Sequence, residues 1–97
     1  MKKSLNERRC FFCGETTFLE RHHIFGGADR KKSEKYGLCV YLCHRHHNET
    51  PDGVHFCRER MDYLRRYGQQ MAMLMNAWTV EDFIREFGRN YLEEDTP

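Results

Sequence analysis

Two short stretches, Cys10-Phe11-Phe12-Cys13 and Cys43-His44-Arg45-His46-His47, put thiols and imidazoles at knuckle spacing. Between them lies a histidine pair, His22-His23, that a structural metal does not need. A CxxC turn holds two thiolates about 4 Å apart, and a second knuckle can supply the other two corners of a tetrahedron. Cys10, Cys13, Cys43 and His46 are therefore expected to form a structural Zn²⁺ site of CCCH type. The rival pairings draw on Cys39 or Cys57. Cys39 precedes Cys43 by four residues on a predicted strand, and Cys57 falls on a helical apolar stripe, so each is preferentially a small buried hydrophobe. The 29 residues between Cys13 and Cys43 exceed what a zinc ribbon needs, so that segment should do more than close a loop.

His46 and His47 cannot easily serve one ion, because adjacent helical side chains diverge by about 100°. If His46 closes the zinc site, His47 faces elsewhere, towards the surface opposite His22-His23. With His55, these histidines outline a second centre, suited to chemistry because imidazole accepts a proton near neutral pH.

The elements that must position these groups follow from pattern. Residues 1–9 read as a basic arm, and Gly14 allows the tight turn of the first knuckle. Thr16–Phe25 is a strand or hairpin arm ending at Gly26-Gly27. The polar, basic segment Ala28–Tyr36 reads as a surface loop, and Leu38–Leu42 as a short strand returning Cys43 to Cys10 and Cys13. His44–Glu49 begins a helix or helical turn. Thr50-Pro51 offers a second helix start, with Thr50 as cap and Pro51 at the first helical position. Met61, Leu64, Met71, Leu74 and Met75 recur at helical spacing, as expected of a helix packed on a core. Thr79-Val80-Glu81-Asp82 is a capping signal, and Val80, Phe83, Ile84 and Phe87 form the apolar face of a short helix stopped by Gly88. Asn90-Tyr91-Leu92 folds back onto it, and the last five residues fray.

Ninety-seven residues, 39% hydrophobic and 32% charged, fit one small domain for which a metal staple supplements a modest core. No apolar run approaches the roughly 18 residues of a membrane span. The amino-terminal residues carry charge without an apolar segment behind them, so a cytoplasmic location is expected, where five cysteines serve as thiolate ligands rather than disulfides. The net charge of +1 conceals an asymmetry: residues 1–35 carry nine Lys or Arg against five acids, residues 76–97 two against six. The front of the molecule suits an anionic partner.

Taken in order, CxxC, LERHHIFGGADR and LCVYLCHRHHNE resemble the HNH nucleases, the ββα-metal or His-Me finger endonucleases, in their zinc-stapled bacterial and phage form. The resemblance covers residues 10–56 and implies an α+β fold: a zinc-stapled ββα-metal domain, with additional C-terminal helices over 57–97. By position it implies that His23 is the general base, and that His22 and His47 hold one catalytic divalent ion (Mg²⁺, Mn²⁺, Ni²⁺ or Zn²⁺), with His55 as its third ligand or a phosphate contact. It implies hydrolysis of nucleic-acid phosphodiesters, DNA being the expected partner, to 5′-phosphate and 3′-hydroxyl ends. Where the family carries its middle asparagine this chain has Tyr36-Gly37-Leu38, and Tyr36 is the substitute hydrogen-bond partner. Arg30, Lys31, Lys32 and Lys35 flank the hairpin as phosphate contacts that position a backbone without reading bases. Arg21, Arg45 and Arg58 are phosphate contacts or salt-bridged surface groups. A non-catalytic zinc module binding nucleic acid or protein is the alternative from another class. The oligomeric state, a dimer included, stays open.

Overall fold

A computed structural model describes residues 7–92. Residues 1–6 of the expected basic arm and the fraying end over 93–97 lie outside the described residues. Two antiparallel strands, β1 (Leu19–His23) and β2 (Cys39–Cys43), pair with Leu19 opposite Cys43 and His23 opposite Cys39. A 3₁₀ turn (Gly27–Asp29) and a short helix α1 (Arg30–Lys35) connect them. Helices α2 (His44–Asn48), α3 (Arg58–Asn76) and α4 (Val80–Phe87) follow. The chain is thus a small α+β structure. Among the described residues no helix is long and apolar enough to cross a membrane.

One hydrophobic cluster runs from Cys10 at the first knuckle, through Ile24, Leu38 and Leu42 of the strand region and Leu64 of α3, to Phe83 and Phe87 of α4. Gly68 lets α3 lie close to the end of β1: a Cβ there would stand 2.9 Å from Ile24 Cγ2 and 3.0 Å from Phe25 Cε2. Phe25 in turn meets Phe87 and Tyr91 at ring-centroid distances of 4.9 and 5.1 Å. The fold-back after Gly88 is held by buried Gln69, which donates to Asn90 Oδ1 and accepts from the Tyr91 N–H. At α4 the capping box is present in both directions between Thr79 and Asp82. Together these contacts seat α3 and α4 behind the strands and fix the wall of the cleft described below.

Several expectations need correction. The first strand is shorter than Thr16–Phe25, because Thr17 turns back to bond the Glu15 carboxylate and Phe18 adopts a positive φ of 52°. Ala28–Tyr36 is not a loop: most of it is α1, anchored by a single inward residue, Ser33, whose hydroxyl accepts from the Phe25 N–H and donates to the Phe25 carbonyl. No helix starts at Thr50-Pro51. That segment turns back along α2, with Val54 N–H donating to the His46 carbonyl at 2.8 Å. A Cβ on Gly53 would lie 2.8 Å from the Glu49 backbone nitrogen, so glycine is what permits the approach. Cys57 precedes α3 as its N-cap instead of riding its apolar face. The inward face of α3 is Leu64, Gly68, Gln69 and Ala72, while Leu74 and Met75 of the methionine stripe are exposed.

Candidate metal centres

Cys10 and Cys13 stand at the first knuckle, Cys43 ends β2, and His46 lies one turn later on α2. Their ligand atoms all lie within 4.8 Å of one another, so the four could hold a metal ion. Cys13 Sγ is 3.7 Å from Cys43 Sγ, and His46 Nδ1 is 3.3 Å from Cys43 Sγ and 3.7 Å from Cys10 Sγ. A tetrahedron with metal–sulfur bonds of about 2.3 Å and metal–nitrogen bonds of about 2.0 Å has edges of roughly 3.5–3.8 Å, which the two 3.7 Å separations match and the 3.3 Å one falls slightly below. A Cys13–Cys43 disulfide would need about 2.05 Å. Burial alone would raise the Cys10 thiol, but backbone N–H groups of Cys43, Cys13 and Phe12 outweigh it and bring the thiol below its ordinary value. Such N–H groups favour the thiolate, the form that binds metal.

The next residue of α2 belongs to a different group. His47 converges with His22 of β1 and His55 of the strap after α2, their ligand nitrogens again within 4.8 Å. Ring centroids are 5.2 Å apart for His22–His47, 5.4 Å for His22–His55 and 4.9 Å for His47–His55. The direction of His55 follows from the strap: pairing with α2 through Val54 turns the following side chain to the strand. Glu20, two residues before His22 and on the same strand face, accepts from His47 Nδ1 at 2.7 Å. Asn48 Nδ2 donates to the same oxygen at 3.1 Å, and His44 Nδ1 lies 3.0 Å from the other. A carboxylate can only accept, so a neutral His47 carries its proton on Nδ1 and keeps its lone pair on Nε2.

His22 supplies the test of whether this trio fits an ion. It is 5% exposed, and its Nε2 is a buried polar atom without a hydrogen-bond partner among the described residues. Burial first, then the neighbouring His47 and His55, pushes its pKa down to about 3, so the ring stays neutral. A buried orphan nitrogen costs about 1–3 kcal/mol when nothing satisfies it. Three imidazoles with ligand nitrogens within reach of one another, one braced by a carboxylate, are a donor set that suits a divalent ion.

Pleating turns His23 to the other strand face from His22, yet both line one cleft of about 730 Å³ with Arg30, His47, His55 and Arg65. His23 Nε2 lies 2.6 Å from Glu34 Oε2 of α1, and Arg21 Nη1 donates to that same oxygen. His23, Glu34 and Cys39 form a third group of metal-ligand type. It suits a cation poorly, since the Arg21 guanidinium already occupies the carboxylate and burial raises the Cys39 thiol towards its neutral form.

Tyr36 does not partner His23. Its hydroxyl donates to Glu86 Oε1 at 3.1 Å and its ring meets Trp78, because α1 turns it towards α4. Of the basic residues named from sequence, Arg30 borders the cleft. Lys31 is exposed on α1, whereas Lys32 donates to the Glu86 carbonyl and Lys35 lies over the Tyr36 ring. Arg21, Arg45 and Arg58 are all ion-paired, with Glu34, Asp52 and Asp62. Sequence reasoning missed Glu20, Glu34 and Arg65. Alternation along the strand could have flagged Glu20; nothing local singled out the other two. Comparison with models of known families, with curated proteins and with solved structures finds no match to this chain.

Proposed function

We propose that this protein is a metal-dependent endonuclease of HNH type that hydrolyses phosphodiester bonds in nucleic acid, with DNA the expected substrate. In this reading Cys10, Cys13, Cys43 and His46 hold a structural zinc, and His22, His47 and His55 hold one divalent ion. The observation that carries it is His22, buried with an orphaned Nε2 and grouped with two further imidazoles at a cleft that His23 also lines. A bare zinc module has no use for that arrangement.

When bound, a divalent ion would supply Lewis acidity for the charge that develops on the phosphate and the departing 3′ oxygen. An all-imidazole donor set favours Ni²⁺ or Zn²⁺ in affinity over Mg²⁺, which prefers oxygen ligands. The remaining work falls to the chain. His23 takes a proton from the attacking water as the water oxygen bonds to phosphorus. The P–O3′ bond breaks, the 3′ oxygen takes a proton from solvent, and His23 returns its own to water. Arg30 and Arg65 border the cleft with positive charge and suit backbone phosphates, which carry no base identity. Weak sequence preference follows.

The test is nicking of supercoiled plasmid by wild type and His23→Ala, supplied with Mg²⁺, Mn²⁺, Ni²⁺ or Zn²⁺ beside a chelator control. Metal-dependent nicking that falls at least 100-fold in the folded variant is the expected result, since a positioned base contributes about 10²–10⁴-fold. Absence of cleavage by folded, metal-loaded wild type on plasmid, branched DNA and RNA alike would replace the enzyme with a binding module.

A further inference from the structure

The side chain that governs His23 comes from α1, the segment whose sequence reads as a loop. His23 ends β1, with its side chain 13% exposed, and Nε2 stands 2.6 Å from Glu34 Oε2. An ionised carboxylate has no proton to give, so a neutral His23 must carry its proton on Nε2 and keep its lone pair on Nδ1. Arg21, two residues earlier on the same strand face, donates to the same Glu34 oxygen. That guanidinium, then His23, hold the Glu34 pKa down at about 2, which keeps it an acceptor through the working pH range.

The backbone that bears the carboxylate is also held from behind. Ser33, the preceding residue, is fully buried and makes two hydrogen bonds to the Phe25 backbone, at 3.0 and 2.7 Å. Its carbonyl accepts from the Leu38 N–H at 2.7 Å. Phe25 lies two residues beyond His23, so the helix bearing Glu34 is stapled to the same piece of backbone that bears His23. The two backbone segments cannot separate without breaking these buried hydrogen bonds.

We propose that Glu34 is a positioning residue, which locks His23 as the Nε2–H tautomer and leaves Nδ1 as the nitrogen that receives the proton from water. This rests on the reading of His23 as general base. It assigns to a carboxylate from α1 the orienting task for which Tyr36 was the sequence candidate. Arg21 then serves the cleft indirectly, by keeping Glu34 ionised and aimed, instead of gripping phosphate.

The experiment pairs cleavage kinetics, on the full chain loaded with zinc and Ni²⁺, with nitrogen-15 NMR of the imidazoles on the same full chain loaded with diamagnetic Zn²⁺ alone. Circular dichroism and metal content establish that each variant is folded. In wild type the long-range proton–nitrogen pattern of His23 should be that of the Nε2–H tautomer. Glu34→Ala should give a mixed pattern and lower kcat roughly 10- to 100-fold, a part of what a positioned base contributes, with KM within about twofold. Glu34→Gln keeps an acceptor oxygen and should recover part of that loss, an outcome that a purely structural role for Glu34 does not predict. Wild-type kcat and an unchanged Nε2–H pattern in folded Glu34→Ala would overturn the assignment. If wild type cleaves nothing, the general-base reading falls by itself, and the tautomer of His23 in the two proteins still decides whether Glu34 sets it.

Discussion

The two candidate metal centres share α2 yet differ in almost every physical respect. Cys10, Cys13, Cys43 and His46 present four ligands at tetrahedral spacing, three of them thiols, with His46 4% exposed. His22, His47 and His55 present three imidazoles at the edge of a cleft, which leaves coordination positions for water or substrate. A closed set holds an ion as part of the fold, and an open set exposes an ion to chemistry. The contrast also explains the partners. The thiol site is supported by backbone N–H groups, a device that stabilises charge without mobile side chains. The imidazole site is supported by the Glu20 carboxylate, a device that selects a tautomer.

Breaking the closed site should have the largest effect. Structural zinc contributes an apparent binding free energy of about 10–16 kcal/mol, comparable with or larger than the whole stability of a small domain. Cys43→Ser should therefore abolish cooperative thermal unfolding, measured by circular dichroism, and bound zinc should fall with it. A smaller effect should follow at the open site, without loss of fold. Glu20→Gln should weaken Ni²⁺ or Zn²⁺ binding there by about 10- to 100-fold, read by calorimetric titration of protein whose first zinc is retained. Equal loss of metal from both sites would erase the distinction between them. The smallest effect belongs far from either centre. Thr79→Ala removes the cap of α4 and should cost about 1 kcal/mol by denaturant unfolding, with metal stoichiometry and affinity unchanged.

The knuckles were legible because their geometry is local: two ligands within four residues constrain one another whatever the rest of the chain does. The opposed directions of His46 and His47 were legible for a similar reason, since helical rotation between neighbours is fixed. His55 was harder. Its direction depends on the strap pairing with α2 and on Gly53 coming against the Glu49 backbone, contacts that no periodicity encodes. Glu34 was invisible because α1 buries only Ser33; a six-residue helix with one inward side chain has no amphipathic signature. The α3 stripe misled in the opposite direction. Methionines marked a helix, but the face that meets the strands is built around Gly68, where the absence of a side chain is what allows contact. The ββα-metal identity and the nuclease reading rest on residue order and site chemistry, and they stand as proposals to be tested by cleavage.

The five-residue length of α2 has a thermodynamic consequence. His46 and His47 are consecutive on a helix too short to be stable alone, so an ion held at the first site would brace the backbone that presents a donor to the second. If both sites bind as proposed, affinity at the open site should rise with occupancy of the closed one, and by reciprocity each ion should strengthen the hold on the other. Metal-stripped protein should fill in sequence, and its binding isotherm should look cooperative although no ligand is shared between the two ions.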